Sequence, residues 1–156
     1  MTTTTVRRRI AAPPHRVYAA LLDPDTIARW RVPAEMSCVV HEFEPREGGR
    51  VHVSLTYDSA DAVGKTTEHT DTYRGRLVRL VPDRELVEVD EFDTDDPALR
   101  GEMTMTFTLA EAGDATELSV VHRGVPAGVS AADNEQGWNE SLDRLAALVE
   151  EQQAQP

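Results

Sequence analysis

The stretch from Ser130 to Glu150, SAADNEQGWNESLDRLAALVE, decides how the rest of the chain is read. Trp138, Leu142, Leu145 and Val149 recur at i, i+4, i+7 and i+11, so one apolar stripe runs along a single long amphipathic helix. Ser130 and Asp133 resemble a capping box, with aspartate in place of the usual glutamate, and mark its start. At ~1.5 Å per residue, Ala131 to about Gln153 spans roughly 35 Å, enough to cross a small sheet. Glu135, Glu140, Asp143, Glu150 and Glu151 fall mostly on its other faces, as solvent-facing charges do.

Upstream, the chain spells out what that stripe rests on. Val6, Arg8 and Ile10 share one face of an opening strand. APPHRVYAALLDP follows as a helix with Pro13 or Pro14 in its first turn, and Asp23 and Pro24 then stop it and start a second short helix ending near Trp30. From Met36 the period becomes two: Val39, His41 and Phe43 alternate, EPREGG turns the chain, and Val51, Val53, Leu55 and Tyr57 alternate again. A polar loop from Asp58 to about Thr66 leads to a fourth strand in which His69, Asp71, Tyr73, Gly75 and Leu77 share a parity. ELVEVDEF forms the fifth strand. Met103, Met105, Phe107 and Leu109 oppose three threonines in the sixth, and Leu118, Val120 and His122 share a face of the seventh. The expected architecture is α+β: a curved antiparallel sheet of about seven strands wrapped on the C-terminal helix, with two short helices between strands 1 and 2. One domain over 1–156 is expected. One helix does not fill a strongly curved sheet, so a cavity is expected between them.

Composition limits the partners. Sixteen basic and 28 acidic residues give a formal charge of -12, a field that repels phosphate backbones and anionic headgroups, so neither nucleic acid nor membrane is expected. No stretch approaches the ~20 apolar residues that cross a bilayer, and the lone Cys38 permits no internal disulfide and suits a reducing cytoplasm.

Four stretches carry a family resemblance: IAAPPHRVYAALLDPDTIARW, FEPREGGRV, YRGRLVRLVPDRELVEV and GWNESLDRLAALVE. Together they resemble the helix-grip fold of the START, or SRPBCC, superfamily, over essentially the whole chain. Within it the chain is similar to the branch homologous to the C-terminal domain of the activator of heat-shock chaperone ATPase. GKTTEHTD, VDEFDTDDPALRGEMTMTFTL and the spacing from Gly128 to Trp138 look like a bacterial stand-alone subgroup. The resemblance implies a binding module for a small or apolar ligand in most members, a cyclase or dehydratase in a few, and chaperone regulation in the eukaryotic namesake. That namesake has a further N-terminal domain, for which no room is expected here, so chaperone activation is not the expected role.

The chain departs from its relatives in the fifth strand, where many of them carry aromatics. Here one parity or the other turns acids inward: Val87, Val89 and Glu91, or Leu86, Glu88, Asp90 and Phe92. The first is preferred because it buries β-branched residues and sets Glu91 beside His69, Asp71 and Tyr73. A buried carboxylate needs compensation, with His69, Arg8, Arg74, Tyr73 or a bound ligand as the options. His69 with Asp71 or Glu91 is then the candidate acid–base set for a cyclase, dehydratase or isomerase. The ordinary reading of the same residues is a buried polar network that holds register, or groups meeting water at the cavity mouth.

The expected ligand contacts are Trp30, Val53, Leu55, His69, Asp71, Tyr73, Glu91, Met103, Met105, Phe107, Trp138 and Leu142. His41, His52 and His122 have no acidic partner at a readable spacing and read as structural. The pattern HxD falls short of a metal motif, and no phosphate loop or nucleophile motif occurs, so no metal and no cofactor are expected. The favoured function is binding of a small hydrophobic, partly polar molecule. A small enzyme is the alternative, and a co-chaperone-like or homodimeric interaction protein the third.

Overall fold

Local signals set the first elements. The computed structural model describes residues 2–33, 36–57 and 70–154. Strand β1 (Thr2–Ile10) leads into α1 (Pro14–Leu22), whose first turn holds Pro14 where no backbone donor is needed. Asp23 ends α1 and caps α2 (Pro24–Trp30), its Oδ1 accepting from the Asp25 amide at 2.9 Å. Thr26 Oγ1 and Trp30 Nε1 both donate to the Ala20 carbonyl, at 2.7 and 3.3 Å, which pins the second helix to the first.

Six further strands follow: β2 (Met36–Phe43), β3 (Arg50–Tyr57), β4 (Thr70–Val81), β5 (Glu85–Phe92), β6 (Met103–Ala112) and β7 (Ala115–Val125). All pair antiparallel in the order β1-β7-β6-β5-β4-β3-β2. The chain closes with α3 (Ala131–Ala154), started by Ser130, whose Oγ accepts from the Asp133 amide at 3.3 Å. This is the helix-grip arrangement. Trp138, Leu142, Leu145 and Val149 lie buried on the sheet, and Glu150 Oε2 accepts from the Ala11 amide at 2.8 Å, tying the far end of α3 to the end of β1. Arg8 shares the parity of Val6 and Ile10 as read, but it stays exposed at the rim, 3.8 Å from Asp143 on α3.

The alternation in β2 differs from the reading. In β2 the inward residues are Met36, Cys38 and Val40, while Val39 is 52% exposed. A bulge between Val40 and Glu42 inserts one residue, reverses the parity and brings Phe43 back inside, so His41 points outward. A second bulge, between Leu77 and Arg79, interrupts the β4–β5 pairing and adds to the curvature.

Candidate functional site

Between the inner face of the sheet and the N-terminal half of α3 lies a cavity of about 560 Å³, inside the ~300–1,000 Å³ range of small-molecule sites. Of the expected contacts, Leu55, Asp71, Tyr73, Met103, Met105 and Trp138 line it. Trp30, Val53, Phe107 and Leu142 instead belong to the packed core beside it. His69 lies outside the described residues.

The fifth strand takes the parity that was not preferred. Leu86, Glu88 and Asp90 are buried at 2, 0 and 1% exposure, whereas Glu91 is exposed on the outer face, paired across the ladder with Arg74. Glu91 is therefore not among the residues that line this cavity. The compensating cation is neither Arg8 nor Arg74. It is Arg31, the residue that ends α2, itself 7% exposed. Its Nη1 and Nη2 donate to Glu88 Oε1 and Oε2 at 2.8 and 2.6 Å, a two-pronged pair. Nη2 also reaches Asp90 Oδ2 and Met105 Sδ, each at 3.5 Å, and the guanidinium carbon sits 5.5 Å from the centre of the Tyr73 ring.

The two acids are driven apart. Burial pushes the Glu88 carboxyl up, but the Arg31 charge, with hydrogen bonds from Asp90 and Arg31, outweighs it and the net displacement is downward. Burial, then the Glu88 charge and hydrogen bond, hold Asp90 well above the usual carboxylate range, with Arg31 only partly opposing. One cation, one anion and one carboxylic acid therefore make a neutral buried set. Gly75 faces Asp90 across the ladder, and a β-carbon there would overlap Asp90 Oδ1 and the Val89 carbonyl. The missing side chain makes room for the acid.

His122 forms the other polar part of the wall. Trp138 Nε1 donates to its Nδ1 at 3.0 Å, and Asn134 Nδ2 lies 3.2 Å from the same atom while donating to Thr4 Oγ1 at 3.0 Å. Burial and the Arg31 charge push the His122 pKa down from 6.5 to about 4, with Glu88 opposing. A histidine kept neutral by folding stabilises the protein fully above 6.5. That contribution is lost as pH falls from 6.5 to about 4, because the unfolded chain takes up a proton that the folded one refuses. The expected loss is about 3 kcal/mol, at ~1.4 kcal/mol per pH unit. Urea unfolding at pH 7 and pH 4 measures it: His122→Gln should show a fall smaller by about that amount, and equal falls in both proteins would contradict it.

Sequence reasoning passed over Arg31, read His122 as structural, and held Glu88 and Asp90 only as the inward acids of the parity it did not prefer. The usable signals were Leu86 and Phe92 flanking two acids of their own parity, and His122 sharing a face with Leu118 and Val120. Among the described residues no helix is long and apolar enough to cross a membrane, and no group of three or more His, Cys, Asp or Glu side chains is placed to hold a metal ion.

Residues 11–150 match the family described as activator of Hsp90 ATPase homolog 1-like protein. A Chromobacterium violaceum protein of known structure is similar at 35% identity, with a TM-score of 0.85 over 95% of this chain and 96% of that one. A Rhodobacter sphaeroides protein shares the fold at 23% identity, with a TM-score of 0.77 over 95% and 91%. An AHSA1 protein from Silicibacter pomeroyi does so at 18%, with a TM-score of 0.79 over 97% and 99%. No curated protein matches the chain.

Proposed function

This chain belongs to the activator of Hsp90 ATPase homolog 1-like family, and on that premise we propose that it binds a small, largely apolar molecule between α3 and the inner face of the sheet. The observation that carries the reading is the wall of the cavity. Leu55, Phe92, Met103, Met105 and Trp138 present apolar and aromatic surface, while polar groups enter from Asp71, Asp90 and His122. Apolar surface left uncovered inside a fold favours an occupant that removes it from water, and unbranched methionines adapt their shape to one.

The test fills the space. Leu55→Trp and Met103→Trp each add bulk to the wall, and both should weaken binding of a neutral naphthyl ketone dye by tenfold or more while unfolding stays cooperative. Native mass spectrometry of protein purified from its own host should show a copurifying small molecule. Absence of dye binding by the unmodified protein, with no copurifying species, would refute the proposal.

A second reading is favoured by one observation. Asp90 keeps its proton well above the ordinary carboxylate range on the wall of the cavity, as a general acid must. In that reading Asp90 takes the part that sequence reasoning assigned to Glu91, and Asp90→Asn would abolish turnover while sparing binding.

A further inference from the structure

On the outer face of the sheet, away from the cavity, two histidines are brought together. In β2, Val40 pairs with Val53 and Glu42 with His52, so the bulge sets two residues, His41 and Glu42, against the one histidine of β3. Bulges re-aim side chains in this way. The rings of His41 and His52 stand 4.4 Å apart between centres, their planes tilted by 35°. His41 is exposed, and His52 is half-buried on the parity opposite to the buried Val51 and Val53. Neither is among the described residues that line the cavity.

That separation has a chemical meaning. A cation about 2.0 Å from one nitrogen of each ring lies about 3.1 Å from each ring centre, and a right angle at the cation then sets the centres about 4.5 Å apart. The two rings already have the spacing that shared coordination requires.

The second feature is what holds His41. Its Nε2 lies 2.8 Å from Ser54 Oγ, and Ser54 Oγ lies 2.9 Å from Thr72 Oγ1, a chain of contacts across β2, β3 and β4. Histidines that bind metals are oriented by such a partner, one nitrogen donating to it and the other left bare. With Nε2–H donating to Ser54 Oγ, the bare nitrogen of His41 is Nδ1.

The surrounding charge admits a cation. Arg74 stands across the ladder from His52, but Asp93 engages it at 3.6 Å, and Glu42 adds a negative charge from the β2 side. The whole chain, at a formal charge of -12, attracts cations. Neutral imidazole is a ligand for zinc, nickel and copper, whereas magnesium and calcium take oxygen.

We propose that His41 and His52 form a surface site for a divalent late transition ion of the Zn²⁺ and Cu²⁺ class, one nitrogen coming from each ring and water completing the coordination. Sequence reading gave both histidines a structural role because neither has an acidic partner at a readable spacing. The partner is the other histidine, delivered by the bulge. The site is separate from the cavity, so its test leaves the binding reading above untouched.

Zinc chloride and copper chloride titrated into the unmodified protein test it, by calorimetry and by NMR of the ring protons. One tightly bound ion per chain is expected, with Zn²⁺ shifting the signals of two of the five histidines, His41 and His52. Cu²⁺ should bind more tightly than Zn²⁺ and show splitting from two nitrogens in its EPR spectrum. Mg²⁺ should not compete. His41→Gln and His52→Gln should each weaken binding tenfold or more. Ser54→Ala, which keeps both ligands but frees the His41 ring, should weaken it by a smaller factor with one ion still bound. Below about pH 6 affinity should fall as protons compete for the nitrogens. Shifts confined to other histidines, affinity unchanged in both glutamine variants, or no binding at about 1 mM Zn²⁺ would overturn the proposal. The NMR and EPR measurements on the unmodified protein need no variant to fold.

Discussion

Arg31→Met is expected to lower folding stability by about 3–5 kcal/mol, the cost of leaving a buried acid without its cation. Methionine replaces most of the aliphatic stem of arginine, so the loss is chiefly electrostatic. Glu88 is 0% exposed and has both oxygens on the guanidinium, so it has no route to water when the partner goes. Asp90 differs: it already keeps its proton well above the usual range, because burial and Glu88 disfavour its charge. The two acids should therefore rescue unequally. In the Arg31→Met background, Glu88→Gln should restore most of the stability and Asp90→Asn little of it.

The pH dependence follows from the same assignment. Loss of Arg31 removes the largest influence lowering the Glu88 pKa and leaves burial opposed chiefly by the Asp90 hydrogen bond. A raised folded pKa favours the folded state at low pH, so the deficit of Arg31→Met should shrink as pH falls and Glu88 takes up a proton. Urea unfolding across that range measures both effects. A cost below about 1 kcal/mol, or equal rescue by the two amides, would show that the cluster does not carry the charges described.

Trp30→Ala is expected to cost about 3–5 kcal/mol as well, by a different route, the cavity left by a large buried side chain. Trp30 is 1% exposed, meets Phe107 edge to face at 6.4 Å between ring centres, and donates to the Ala20 carbonyl. It is not among the cavity's lining residues. Affinity for the ketone dye, measured below the unfolding transition, should therefore stay within about twofold, because the substitution removes no part of the cavity wall. Trp138→Ala should instead weaken binding, since Trp138 lines the cavity and holds His122 Nδ1. A stable Trp30→Ala protein with impaired binding would place Trp30 in the site, as sequence reasoning had it.

The elements themselves were legible because their signals are short-range. Pro14 and Asp23 bound α1, Asp23 and Pro24 start α2, and the apolar stripe from Trp138 to Val149 is complete within α3. Where a sheet alternation was broken by an inserted residue, as between Val40 and Glu42, the period-two rule assigned the wrong face. Bulges depend on how two strands are pressed together, and nothing near Val39 announces one.

The chain's own residues determined the order of strands and helices, the helix-grip class and six residues of the cavity wall, Leu55, Asp71, Tyr73, Met103, Met105 and Trp138. Only tertiary structure decided which acids of β5 turn inward. Locally the two parities are degenerate, each offering apolar residues together with a carboxylate. The choice falls to Arg31, 57 residues away from Glu88 and delivered by the end of α2, because an ionised carboxylate is held in the interior only with a cation beside it.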